Sequence, residues 1–176
     1  MRKIEVKPYD EHWIGLFEIE AKQLHSIFGR EIIKIHHIGS TSVNGLKAKP
    51  IIDMMPVVKD IHKIDEYNSA MIAIGYEPKG ENGICGRRYF KKGGDNRTHH
   101  VHIYEVGSPE IDRHLAFRDY LRANPDVSKK YGDLKKELSQ RFPYDVASYI
   151  KGKEQLALEI ERNAVAWYRY QEFHAK

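Results

Sequence analysis

Apolar residues recur at helical spacing through Trp13, Leu16, Phe17, Leu24, Ile27 and Phe28, with Asp10 placed to cap the segment and Gly29 to stop it. An amphipathic helix is predicted there. Residues 31–38 change to a short β-rich stretch that ends in Gly39-Ser40-Thr41-Ser42, and turn chemistry continues through Val43-Asn44-Gly45-Leu46. The run 51–58 is apolar on both parities, as in a strand covered on both faces, and Asp53 is the odd residue in it. Ile61, Ile64, Tyr67, Met71 and Ile74 predict a helix closed by Gly75. Glycines at 80, 83, 86, 93 and 94 then break the chain into short pieces. Gly93-Gly94-Asp95-Asn96 between the β-like runs 87–91 and 99–104 predicts an antiparallel hairpin. Helix starts follow at Ser108-Pro109, Asn124-Pro125 and near Asp145. Leu115, Phe117, Tyr120, Leu121, Tyr131, Leu134, Leu138, Tyr149, Ile150, Leu156, Ile160 and Trp167 give these late helices an apolar side. The order predicts an α+β fold: a small sheet backed by helices, with a C-terminal helical cover, in a single domain over 1–176.

Composition narrows the class. The 176 residues are 41% hydrophobic and 11% aromatic, which excludes wholesale disorder. Lys+Arg 29 against Asp+Glu 25 leaves +4, a mild bias toward phosphorylated or acidic partners and too even a mixture for a nucleic-acid face. Cys85 is the single cysteine, so no internal disulfide forms and a reducing compartment is expected. The opening residues lack the apolar core of a signal peptide, and no run reaches the length of a membrane helix. A cytoplasmic location and no membrane partner are the expectations. Walker, dinucleotide, HExxH and nucleophile-elbow motifs do not occur, and Cys85 has no evident base.

The most specific stretch runs from His36 to Asp53. A Gly-Ser at a strand end offers backbone N–H groups, a hydroxyl and close approach, which together suit a phosphate. Asp53 follows Ser40 on a neighbouring strand, placed to hold a Mg²⁺ sharing that phosphate, with Lys47 and Lys49 between. On the hairpin, His100, His102 and Tyr104 share one strand face. If that face turns toward Asp53, the N,N,O set suits zinc, manganese or iron better than magnesium, although two histidines on one strand are more often satisfied by hydrogen bonds. Asp53 within an apolar strand needs a partner of some kind, because an unpaired buried carboxylate is costly. Arg87, Arg88, Lys91, Lys92 and Arg97 would hold an anionic substrate or form a solvated basic turn. Arg118, Asp119 and Arg122 would reach the same cleft or pair with each other, and His36 and His37 read as structural.

The run HHIGSTSVNGLKAKPIID resembles the signature of the GrpB family, within the nucleotidyltransferase superfamily of polymerase-β-like folds. Tyr9 with Trp13, residues 88–91, 100–102 and 115–121, and Tyr131 with Leu134-Lys135 extend the resemblance over nearly the whole chain. It implies a mixed sheet in which Gly39 and Ser40 are the phosphate-binding pair and Asp53 is the metal-binding and catalytic acid; Thr41, Lys49, Arg88 and Lys91 are, by their own chemistry, the further candidate ligand-binding residues. The implied metal is a divalent ion, magnesium or manganese before zinc, and His100 and His102 are the further candidate ligands that the strand pattern offers. The implied activity is binding of a nucleotide or phosphorylated small molecule, extending to metal-dependent transfer to an unidentified acceptor. Met55 stands where such transferases carry a second carboxylate, and a thioether is a poor ligand for a hard cation. That substitution supports an alternative, a non-catalytic ligand-binding or protein-interaction module. GrpB-like domains fused to a coenzyme A biosynthesis kinase suggest the same assembly role.

Overall fold

The computed structural model describes residues 2–175. The chain divides into two compact units: residues 12–38 with 51–111, built around a sheet, and residues 2–11, 39–50 and 112–175, which are mainly helical.

In the sheet unit, α1 (His12–Phe28) leads into β1 (Ile32–Ile38), and β2 (Ile52–Val58) returns antiparallel to it. The predicted helix over 61–74 opens as a 3₁₀ helix, Ile61–Tyr67, where the Asp60 side chain accepts from the His62 N–H. Only Asn68–Ala73, α2, is α-helical. β3 (Tyr76–Pro78), β4 (Arg87–Lys92) and β5 (His99–Glu105) complete a five-stranded sheet in the order β1-β2-β5-β4-β3. The hairpin β4–β5 is antiparallel as expected, but β5 pairs parallel to β2, so the hairpin is inserted into the sheet rather than appended to it. β2 is therefore an inner strand, and Ile52, Met54, Met55, Val57 and Val58 on both parities are each no more than 4% exposed.

One face of the sheet packs on α1. Trp13, Leu24 and Phe28 are buried, and Phe17 stacks on His37 at 4.7 Å between ring centroids, which makes His37 a packed residue. Each such buried side chain is worth about 1.5–3 kcal/mol of transfer free energy. Glu20 on the same stripe is 4% exposed, where it accepts from the Tyr76 hydroxyl at 2.8 Å and the Lys92 ammonium at 2.9 Å.

In the helical unit, α3 (Pro109–Ala123), α4 (Pro125–Arg141) and α5 (Val146–His174) start where proline and cap residues predict. The Ser108 hydroxyl accepts from the Glu110 N–H and Asp145 accepts from the Ser148 N–H. Asn124 is different: its amide turns back and donates to the Tyr120 carbonyl, so α4 relies on Pro125 rather than on a side-chain cap. Two cores form. Val43 and Leu46 pack with Leu121, Tyr131 and Ile160; Ile4 and Val6 pack with Leu138 and Tyr149. Ile150, expected on the apolar side, is 50% exposed.

Candidate functional site

The strand register brings Asp53 to its histidines. Glu77, Lys91, His100, Asp53 and Ile38 are successive partners across all five strands, so they form one row on one face of the sheet. His100 Nδ1 lies 3.4 Å and His102 Nε2 3.3 Å from the same oxygen, Asp53 Oδ1. Tyr89 lies beside both, with ring centroids 5.8 Å from His100 and 5.1 Å from His102. The Asp53 side chain keeps 27% of its surface exposed. Burial alone would push its carboxyl up, but the hydrogen bonds of His100 and His102 outweigh that and hold it far below the ordinary carboxylate range. Asp53 is thus ionised, an acceptor for the imidazole nitrogens that face it.

Arg87 fixes the far side of His102. It is 7% exposed, and carbonyls of the glycine-rich loop hold it: Nε donates to Glu81 O at 3.1 Å and one Nη donates to Asn82 O at 2.7 Å. Its other Nη lies 3.4 Å from His102 Nδ1. The Nε2 of His100 is buried with no hydrogen-bond partner among the described residues. Among the described residues no group of three or more His, Cys, Asp or Glu is disposed to hold a metal ion. Metal-ligating histidines almost always donate their distal N–H to an acceptor, and the distal nitrogen of His102 faces an arginine. Met55, at the second-acid position, is fully buried.

The Gly39–Ser42 turn belongs to the helical unit. Gly39 adopts φ 71° and ψ −174°, a backbone region open essentially only to glycine, and Ser40–Ser42 follow as one 3₁₀ turn. Two cations reach this turn from α3 and α4. The Arg122 guanidinium donates twice to the Ser42 carbonyl, at 2.9 and 2.7 Å. The Lys135 ammonium, on a residue only 3% exposed, donates to the Ser40 hydroxyl at 2.8 Å and lies 4.7 Å from the Tyr131 ring centre. Thr41 is buried. Lys47 pairs with Asp133, whose carboxyl the Lys129 and Lys47 ammoniums hold down to about 2, and Lys49 lies over the Tyr149 ring.

The basic hairpin residues separate. Arg88 has the opposite parity to Lys91 and is engaged by both oxygens of Asp65, at 2.7 and 3.2 Å. Lys91 lies 3.5 Å from Glu77. Arg118 pairs with Asp119. Two surface clefts of about 510 Å³ in the helical unit, one along residues 3–7 and 136–143 and one along α4, include none of these candidates. Lys135 and the role of Arg87 were not among the sequence candidates. The signal for Lys135 was a charge at helical spacing between the buried Tyr131 and Leu138.

A mixed sheet flanked by helices, with Gly-Ser after its first strand and an acid on its second, defines a protein of nucleotidyltransferase-like fold. The Cid1 poly(U) polymerase has the same fold at a TM-score of 0.53 and 17% identity, over 77% of this chain and 45% of that one. The chain belongs to the GrpB family, whose model, "GrpB protein", matches residues 3–163. It is 46% identical to GrpB from Enterococcus faecalis, with a TM-score of 0.90 over 93% of this chain and 99% of that one. UPF0157 protein YqkA of Bacillus subtilis is 52% identical over 94% of this chain, which spans 48% of YqkA. A dephospho-CoA kinase of Mycobacterium leprae is 26% identical over 90% of this chain and 45% of the kinase. Among the described residues no helix is long and apolar enough to cross a membrane.

Proposed function

We propose that this chain binds a nucleotide or another phosphorylated small molecule, with the phosphate seated on the Gly39–Ser42 turn. The observation that carries this reading is the buried Lys135 ammonium on the Ser40 hydroxyl. A lysine is rarely placed at 3% exposure, and its charge, with that of Arg122 on the Ser42 carbonyl, polarises the turn toward an anion. Gly39 allows a ligand to approach the backbone closely. Charge compensation for the phosphate then comes from protein cations.

Calorimetric titration with ATP, GTP, CTP and UTP, each with and without Mg²⁺ or Mn²⁺, tests the reading, and tripolyphosphate alone serves as the phosphate probe. At least one nucleotide should bind, and Ser40→Ala and Lys135→Met should each weaken it about tenfold or more, the scale of one charge-assisted hydrogen bond of about 1.5–3 kcal/mol. Silence with all four nucleotides at millimolar concentration defeats it. Release of pyrophosphate from a bound nucleotide would extend the reading from binding to transfer.

A second reading, a non-catalytic assembly module within larger proteins, is favoured by Met55 and by the match to half of a dephospho-CoA kinase. It expects stable complex formation with a protein partner that Ser40→Ala and Lys135→Met leave unchanged.

A further inference from the structure

We propose that the Asp53 cluster is closed to divalent metal ions and is held together by protons, with Arg87 as the positioning residue that enforces this. The inference stands apart from the phosphate reading, since it concerns residues of the sheet unit alone.

Donor and acceptor bookkeeping carries it. A guanidinium has N–H donors and no lone pair, so the contact at 3.4 Å requires His102 Nδ1 to be the acceptor. An imidazole accepting at Nδ1 is neutral and carries its proton on Nε2. That proton points at Asp53 Oδ1, 3.3 Å away, a carboxylate oxygen that accepts it. The two ends of the ring therefore agree on one tautomer.

For Nε2 to ligate a metal beside Asp53, its proton has to leave or move to Nδ1. Moving it sets an N–H against the Arg87 N–H groups, with two donors facing across a mostly buried gap. Losing it outright makes an imidazolate, which a single divalent ion on one carboxylate does not support. His100 is not under the same constraint. Its Nδ1 faces Asp53 at 3.4 Å, but its Nε2 has no partner among the described residues, so its proton is able to change ends. The block on metal binding thus resides in His102, and through it in Arg87.

Arg87 is itself rigidly placed. The Glu81 and Asn82 carbonyls take two of its nitrogens, and its guanidinium carbon lies 5.0 Å from the Tyr89 ring centre, against the ring that also flanks both histidines. The loop between Gly80 and Gly86 is the holder: Asn82 takes φ 48°, and Gly83 and Gly86 take φ 88° and 80°, which lets the loop's carbonyls converge on one side chain. Both histidines bond the same carboxylate oxygen, so the second oxygen lies outside these two contacts. A ligand hydroxyl or N–H is the class of group this site would accept there, in place of a cation.

Two measurements on the intact chain test this. Equilibrium dialysis against Zn²⁺, Mn²⁺ and Mg²⁺, with bound metal counted directly, compares wild type with Asp53→Asn; equal metal content in the two is expected. Nitrogen-15 spectra of histidine-labelled protein should show His102 in the Nε2–H tautomer, with an unprotonated Nδ1. Arg87→Met should mix the tautomers of His102 and raise zinc uptake at least tenfold. Should that variant fail to fold, the two wild-type measurements decide the question. A stoichiometric metal ion that disappears in Asp53→Asn, or a His102 protonated at Nδ1, overturns the proposal. Neither result would touch the Lys135 site, whose test uses different residues and probes.

Discussion

Glu20 shows how a charge is kept inside the sheet unit. Burial on its own would raise its carboxyl, but hydrogen bonds from Lys92 and Tyr76, with His99 nearby, hold it below the ordinary value. Tyr76 is pushed the other way, upward, by burial and by the Glu20 charge, so it stays a donor. A depressed carboxyl in the folded state contributes stability that is complete above its unfolded pKa of about 4.3 and is lost as pH falls through the folded value. Glu20→Gln should therefore cost about 1–3 kcal/mol at neutral pH, because it leaves the Lys92 ammonium half-buried beside a weaker acceptor. Urea midpoints of the two proteins should converge as pH is lowered from about 7 to about 3.5. A gap that stays constant with pH would mean that packing, and not charge, is what Glu20 supplies. Glycine carries the second prediction at this scale. Gly39→Ala asks a Cβ to enter a backbone region that costs on the order of 1–3 kcal/mol. The turn that presents Ser40 to Lys135 should distort, so nucleotide titrations on this variant should show weaker binding even when it is folded.

Among the elements, the β4–β5 hairpin was readable because its glycines mark the turn and its two arms alternate on either side. The glycines are not equivalent. Gly93 has φ 100°, and a Cβ there would run into the Asn96 carbonyl oxygen, whereas Gly94 at φ 56° faces open space. Gly93→Ala should cost more than about 2 kcal/mol, the left-handed penalty plus a backbone clash, while Gly94→Ala should cost only the penalty of about 1–2 kcal/mol. Thermal unfolding of the pair checks the difference, and equal losses would show that the turn relaxes around Gly93. The same parity argument placed His100 and His102 on one face. What periodicity does not contain is which strand lies beside which. The insertion of β5 between β2 and β4 is a long-range pairing, and only that insertion sets His100 against Asp53. β3 was missed because three residues ending in Pro78 are too short to show a period. Arg87 read as one basic residue among several, since its contacts to Glu81, Asn82 and His102 depend on a loop whose path glycine permits but does not dictate.

At the scale of the whole molecule, the chain passes between its two units after residues 11, 38, 50 and 111, so neither unit is one continuous stretch. The consequence lies in the helical cores. The three late helices read in sequence as a helical cover, and their Tyr131, Leu121 and Ile160 close on Val43 and Leu46 from the 39–50 segment. Leu138 and Tyr149 close on Ile4 and Val6, and the Lys7 and Ala48 backbones exchange hydrogen bonds to tie those two early segments together. Val43 and Leu46 are fully buried. A fragment of residues 112–176 lacks all four early side chains, and at about 1.5–3 kcal/mol for each buried aliphatic group it loses on the order of 6–12 kcal/mol of transfer free energy. That is comparable to the net stability of a typical domain, about 5–15 kcal/mol. The isolated fragment should keep helical far-ultraviolet dichroism from α5 but lose near-ultraviolet signal, bind a hydrophobic dye and unfold without a sharp transition. Restoring residues 2–11 and 39–50 through glycine-rich linkers should return a cooperative transition. A fragment that unfolds cooperatively without them would show that α3, α4 and α5 hold their own core, and the Ser40–Lys135 contact would then have to be seen as a loop docked on a finished scaffold rather than part of what makes it fold.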